Sequence, residues 1–481
     1  MTSRFSFPST IGRFGARSHR LTLCVALVVG LGALQPIVHA TQPLVKAQKS
    51  TVRLVSGPMA GPAEHRAITL WVQADRSALA SIEFWPEAKP QQRTRSAGRT
   101  LMPDEQFTAH LRLTALDPGT RYGYRLLLDD QVASPDLSFR TQVLWQWRTD
   151  APDFTVLAGS CNYGNEPVFD RPGKAYGDRH EIFDLMANQN PDLTLWLGDN
   201  LYYREVDYSS REGMEHRWAY ERKQPYVQKL LRTGSHAAIW DDHDYGPNDA
   251  NASFMLKADA LDLQKRYWAN PSYGMPDAPG AFTTFSFGDA DFFMLDNRWY
   301  RDDERLNDPR RVMYGERQMR WLKNALLAST ARFKLIAGGS QSLHKGARGD
   351  TWVDFPAERE DFLRFLVESK ITGVLFLSGD VHRTELTKVE RPGTYPLHDL
   401  TCSPLTSGVY RDDKLKVRDN LVPGTVVMGE RNFCRLRFEG TRAERQMVLA
   451  SITADGKTQW SHTMTAAELG AEYKPPAAAP K

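Results

Sequence analysis

Two rhythms of apolar residues divide the chain. From about residue 48 to 142, apolar and polar side chains alternate in short pieces, "AITLWVQ", "SIEFWPE", "FTAHLRLTAL" and "RYGYRLLL". A period of two is that of a strand with one buried face, and Gly, Pro and Asp turns separate the pieces. The segment from Leu116 to Tyr124, with its Pro-Gly turn and tyrosine entry, reads like the corner of a fibronectin-type strand. A small immunoglobulin-like all-β domain is predicted here, with "VLWQWRTDAPD" linking it to the next domain.

From Phe154 the rhythm changes. Runs that are apolar throughout, "FTVLAGSC", "DLTLWLGD", "HAAIWDDH", "DFFMLDNR", "FKLIAGGSQ" and "TGVLFLSGDVH", alternate with amphipathic stretches such as "RHEIFDLMANQN", "MLKADALDLQKRYW", "ERQMRWLKNALLAS" and "EREDFLRFLVES". Strands buried on both faces and joined by helices predict a layered α/β (α+β) domain with its chemistry at strand ends. "FCRLRFEG" and "QMVLASITADG" read as strands that complete it, and "KPPAAAPK" as a flexible tail. The organisation expected is an export signal over 1–40, a β-sandwich over 41–148, the layered domain over 149–470 and a tail over 471–481.

The first forty residues carry Arg4, Arg13, Arg17 and Arg20 without an acid, then "LTLCVALVVGLGAL", then "VHA" ending at Ala40. That order is that of a cleaved signal peptide, which implies a periplasmic or secreted protein. Cys24 lacks the small preceding residue of a lipidation site, and no adjacent arginine pair marks a twin-arginine route. Without those four arginines, 57 of the 61 basic residues remain against 58 acids. This balance gives no support for nucleic acid or an anionic membrane as an obligatory partner, and no second apolar run would anchor the chain after cleavage. The oligomeric state is left open. Three cysteines then remain, Cys161, Cys402 and Cys434. An odd number leaves at least one thiol for another task, and Cys402 with Cys434 is one pairing the count allows.

Candidate chemistry gathers at the strand ends: Cys161, Asp199, Asp242 with His243, and Asp380 with His382 each come directly after a buried run. Carboxylates crowded in one pocket repel one another unless cations neutralise them. Carboxylates suit hard cations, and a thiolate with an imidazole suits a transition metal, so a mixed set of two or more ions is the simplest reading.

The motifs "GSCN", "LGDNLYY", "WDDHD" and "SGDVH", in this order, resemble those of the alkaline phosphatase D (PhoD-like) family, a branch of the calcineurin-like metallophosphoesterases. The resemblance covers nearly all of the chain after residue 40. It implies a metallophosphoesterase-like β-sandwich flanked by helices, and an exported hydrolase of phosphate monoesters, diesters or both. It also implies Cys161, Asp199, Tyr202, Asp242, Asp380 and His382 as metal ligands, with Asp199 bridging. Cys161, Tyr202 and His382 would hold one ion, Asp242 and Asp380 the other, and Tyr203 is set aside on the Gly-Asp-x-x-Tyr spacing. Ferric iron beside calcium is implied over two zinc ions, with magnesium and manganese as other candidates. His243 would protonate the leaving oxygen. Arg298 would bind phosphate or pair with Asp296, and Asn162 is a further phosphate candidate. Asp241 and Asp244 would orient His243 or be solvated. Gln341 and His344 stand where the superfamily has another ligand, and their part is left open. Two other classes compete: a noncatalytic metal or phosphate-binding protein, which would not need His243, and a glycosidase built on paired acids.

Overall fold

The computed structural model describes residues 51–344, 349–412 and 419–471. The expected export signal and all of the expected tail but Ala471 lie outside them.

Two mixed sheets face each other. In the nine-stranded sheet, Phe154–Gly159, Leu193–Leu197 and Ser235–Ile239 run parallel at the centre. The antiparallel strands Asn432–Glu439, Gln446–Thr453 and Thr458–Thr465 flank them on one side. In the seven-stranded sheet, Ala290–Met294, Phe333–Ala337, Val374–Ser378 and Leu397–Thr401 are parallel neighbours.

Alternation along each central strand explains why these runs are apolar throughout. Val156, Ala158, Leu195, Leu197, Ala237 and Ile239 point into the core between the sheets, where they join Phe292, Met294, Leu335 and Leu377. Leu157, Trp196, Ala238 and Trp240 point the other way, into a second core with residues of the helices Ile182–Asn188, Arg211–Arg222, Pro225–Leu231 and Lys257–Tyr267. Helices Gly315–Ala328 and Pro356–Glu368 add Leu322, Leu326, Phe362 and Leu366 to the core, and Phe362 meets the Phe376 ring. Every central strand is therefore covered on both faces, as parallel strands require.

The alternating N-terminal region forms strands where its pattern places them, including Ile68–Ala74, Leu79–Pro86, Thr108–Leu113 and Arg121–Leu128. The backbone amide of Asp117 donates to the Tyr122 hydroxyl at 2.9 Å, five residues ahead of that tyrosine. Three of its strands do not stand apart from the rest: Leu54–Ala60, Ile68–Ala74 and Thr108–Leu113 extend the nine-stranded sheet, with Ala60 paired in parallel to Ser235. One contact-defined unit accordingly runs from Thr51 onward. Cys402 and Cys434 form a disulfide, leaving Cys161 as the free, buried thiol among the described residues.

Candidate metal centre

The functional side chains leave the sheets at sharp turns. Cys161, Asp199 and Asp380 all have positive φ, 61°, 50° and 63°, in a region that L-residues other than Asn and Asp seldom enter. Each turn comes at the end of a parallel strand, and the left-handed residue breaks the strand so that its side chain faces the gap between the sheets. Closeness explains the glycines before two of them. A Cβ on Gly198 would lie 2.7 Å from Asp241 Cβ, and one on Gly379 would lie 2.6 Å from Ser160 Cβ.

These turns bring together residues far apart in the chain. Asp199 Oδ2 lies 3.5 Å from Cys161 Sγ and accepts from the Tyr202 hydroxyl at 3.0 Å. The same hydroxyl is 3.3 Å from His382 Nε2. The other oxygen, Asp199 Oδ1, accepts from the His243 amide at 3.3 Å. Ligand atoms of Asp199, Asp242 and His243 fall within 4.8 Å of one another. Asp380 approaches from the opposite sheet, its carbonyl accepting from Cys161 Sγ at 3.3 Å.

Protein groups alone leave this centre electrostatically uncompensated. Burial first, then the neighbouring carboxylates, raise the Asp199 and Asp380 carboxyls well above their ordinary range. Burial and Asp199 likewise push up the Cys161 thiol and the Tyr202 phenol. Burial drives His382 down to about 4, with His243 adding to it. Burial also lowers His243, against the pull of Asp242. Asp242 resists burial because His243 and Arg298 hold its carboxyl below the usual range. Its Oδ1 is nonetheless buried without a hydrogen bond, as are Asp241 Oδ2 and His243 Nδ1. Two carboxyls, a thiol and a phenol pushed toward their neutral forms, beside the orphaned carboxylate oxygens of Asp241 and Asp242, are what a cation would relieve. The donor set thus fits metal ions of mixed character, a thiol, phenol and imidazole on one side of Asp199 and carboxylates on the other.

Four residues singled out from the sequence, Arg298, Asn162, Asp241 and Asp244, are buried and engaged within the protein. Arg298 is fully buried, its guanidinium engaged by Asp241 (Nε to Oδ1, 2.6 Å) and Asp350, with Asp242 Oδ1 4.0 Å away. Asp296 is not its ion-pair partner but accepts from the Arg298 backbone amide and from Trp240 Nε1. Asn162 donates to the Asn200 carbonyl and to Glu221, and accepts from Thr406, so its amide is spent within the protein. Asp241 and Asp244 are fully buried, not solvated. Asp244 accepts from the amides of Asn200 (2.9 Å) and Asp241 (2.6 Å), clamping the Asp199 turn to the start of the short helix Asp242–Tyr245. Burial raises Asp241 to about 7, against Arg298, and raises Asp244 to about 8.

Gln341 and His344 converge on Glu385, Gln341 Nε2 at 2.8 Å and His344 Nδ1 at 3.4 Å. Tyr203 donates no ligand atom to the centre, its hydroxyl accepting from Trp218 Nε1 at 2.8 Å. Residues the sequence reading missed are Asp350, Ser403, Tyr176 and Ser407. Asp350 bridges Arg298 and Arg301. Ser403 donates to Cys161 Sγ at 3.1 Å. Tyr176 reaches His382 Nδ1 and Ser407 reaches its Nε2, each at 3.2 Å. Only Asp350 had a signal, since Arg298 and Arg301 lie in the loop that follows the buried strand Ala290–Met294 and, once buried, require an acid.

Comparison with known proteins bears on the fold and the family. The PhoD-like phosphatase family matches residues 162–444, and a domain of unknown function (DUF7800) matches 51–144. Alkaline phosphatase D of Bacillus subtilis (strain 168) is 26% identical over 330 residues, 58% of this chain and 54% of that protein, so only about half the length of that relative is spanned. A solved structure of PhoD superposes with a TM-score of 0.69 at 19% identity, over 85% of this chain and 88% of the other. The purple acid phosphatase PPD1 of yellow lupin (Lupinus luteus) gives 0.63 at 11% identity, over 88% of this chain and 77% of the other. These likenesses support the layered metallophosphoesterase-like fold.

Proposed function

Because the chain belongs to the PhoD-like phosphatase family, we propose that it is a metal-dependent phosphoesterase that hydrolyses phosphate esters by attack of water on phosphorus. The two oxygens of Asp199 carry this reading, since one faces Cys161 and Tyr202 and the other faces the Asp242–His243 turn. Cys161, Asp199, Tyr202 and His382 would hold one ion, and Asp199, Asp242 and Asp380 another. Thiol, phenol and imidazole beside hard carboxylates favour ferric iron with calcium, ahead of magnesium, manganese or zinc. When bound, such ions neutralise charge on the ester and activate water.

The chain's own groups supply the rest. His243 follows the Asp242 turn beside Asp199 with its side chain partly open to solvent, so it is placed to meet the leaving oxygen. An anionic ester bound next to the imidazole favours its protonated form, which delivers the proton. Arg298, Asp241 and Asp350 form a buried ionic strut under Asp242 and keep that carboxylate in place. Asp244 fixes the backbone of two ligand turns at once.

Both monoesters and diesters are proposed substrates. Export is proposed too, on the arginine-rich apolar N-terminus and on a disulfide that persists in oxidising compartments. No helix among the described residues is long and apolar enough to cross a membrane. The N-terminal strands, with a tyrosine bonded back to the preceding turn, support an immunoglobulin-like assignment of that region.

Elemental analysis of the purified protein, joined to a screen of mono- and diesters with and without chelator, tests the function. Two ions per chain and turnover that chelation abolishes and metal restores are expected. Turnover indifferent to complete metal removal would sink the proposal.

A further inference from the structure

The Cys161 turn is tied to the disulfide by two hydrogen bonds in opposite directions. Ser403 Oγ donates to Cys161 Sγ at 3.1 Å, and Ser160 Oγ donates to the Cys402 carbonyl at 3.0 Å. Ser160, Cys161, Cys402 and Ser403 are all buried. Ser403 is itself gripped, its amide donating to Thr384 Oγ1 at 3.2 Å and its carbonyl accepting from Asn432 Nδ2 at 3.1 Å.

The disulfide joins the two sheets. Cys402 comes directly after Leu397–Thr401 of the seven-stranded sheet, while Cys434 lies on Asn432–Glu439 of the nine-stranded sheet, opposite Ala158 and three positions from the Cys161 level. The donors divide between the same two sheets: Cys161, Asp199 and Asp242 succeed strands of one, and Asp380 and His382 succeed a strand of the other. A site assembled from two sheets needs them held to within about 0.5 Å, and hydrogen-bond donors to a ligand sulfur orient it and stabilise its charge. A covalent tie one residue from such a donor meets both needs.

We propose that Ser403 is a positioning residue for the Cys161 sulfur, and that the Cys402–Cys434 disulfide is the inter-sheet cross-link that holds Ser403 in place, so that full metal affinity requires the oxidised pair. This rests on Cys161 being a metal ligand. The cross-link forms by exchange with a disulfide-bearing donor. The two cysteine thiols lose two protons and two electrons as the S–S bond forms, and the donor is reduced to two thiols.

Cobalt(II) loaded into metal-depleted protein is the probe, because a sulfur ligand gives it a charge-transfer absorption. Wild type should show that band and C161A should not; a wild type without it would sink the assignment of Cys161 as ligand, separately from the proposal. Given the band, Ser403→Ala should bind cobalt about 10- to 100-fold more weakly with an altered band. Its unfolding temperature should stay near wild type, and Ser403→Thr should restore the affinity. An S403A protein with wild-type affinity and spectrum overturns the role of Ser403. For the cross-link, cobalt release into a chelator from folded, loaded wild type is measured with and without a phosphine reductant, which is oxidised to its oxide as the disulfide opens. Release at least 10-fold faster once two new thiols titrate is expected; unchanged release at that point overturns the cross-link.

Discussion

The hydroxyl of Tyr202 lies 3.3 Å from Nε2 of His382, although 180 residues separate them. They follow strands of different sheets, and Tyr202 also donates to Asp199, so a phenol and an imidazole can share one ion. If that ion is ferric iron, the phenol binds ionised and colours the protein. Tyr202→Phe should then bleach the visible absorption and lower turnover at least 10-fold, with little change in thermal unfolding. Visible spectroscopy at equal iron content decides it, and a variant as coloured as wild type would remove Tyr202 from the ligand set.

Gly198 and Gly393 both have positive φ, 93° and 73°, but a Cβ at Gly198 would meet Asp241 at 2.7 Å whereas one at Gly393 would meet nothing within 4 Å. Gly393→Ala should therefore cost only the left-handed penalty, about 1–2 kcal/mol. Gly198→Ala adds overpacking of a further ~1–3 kcal/mol and displaces the Asp199 turn. Denaturant unfolding of the two variants should rank them in that order, with activity lost in G198A alone.

Arg298 neutralises two buried carboxylates, those of Asp241 and Asp350. Removing one partner of a buried pair costs about 3–5 kcal/mol, because the charges left behind have no water. Arg298→Met should thus lower the unfolding free energy by about that amount. Asp350→Asn should cost less, since Arg298 retains Asp241. Were Arg298 chiefly a phosphate ligand, R298M would raise KM while leaving the denaturation midpoint unmoved.

His236 is fully buried, accepting from Trp196 Nε1 at 3.1 Å, and burial pushes it down to about 3, with Arg222 adding to it. Below the ordinary histidine value of 6.5, the unfolded chain takes a proton that the folded chain refuses until about pH 3. Stability is therefore full above pH 6.5 and falls as the pH drops through that window, by up to about 1.4 kcal/mol per pH unit. His236→Asn should be less stable than wild type at pH 7.5 yet show a shallower decline toward pH 4.5. Urea midpoints at several pH values test the difference between the two slopes.

The central strands were legible because burial on both faces leaves an uninterrupted apolar run, and the helices at 182, 257, 315 and 356 because their apolar stripes recur at the helical period. Helix Arg211–Arg222 was not, since its buried face includes Arg217, Glu221 and Arg222, whose charges are paired or stacked only in the folded molecule. Strand Leu397–Thr401, "LHDLT", was missed for the same reason: Asp399 is buried there because two backbone amides and Ser378 bond it. Its neighbour across the disulfide was an open pairing until the sheets brought Cys402 and Cys434 together. The continuity of the N-terminal strands with the nine-stranded sheet had no local signature, because an edge pairing as brief as Ala60 with Ser235 leaves no mark on the alternation.

Local pattern determined the buried strands whose runs are apolar throughout, and that thiol, carboxylate and imidazole groups sit directly at their ends. This holds because apolar periodicity and chain-breaking glycines act over a few residues. Only the tertiary structure decided which of those groups share a site, that Arg298 props Asp242 from within the ionic strut with Asp241 and Asp350, and that Ser403 meets Cys161. Charge compensation and hydrogen bonding across a core act through space, between residues whose separation along the chain carries no trace of their distance.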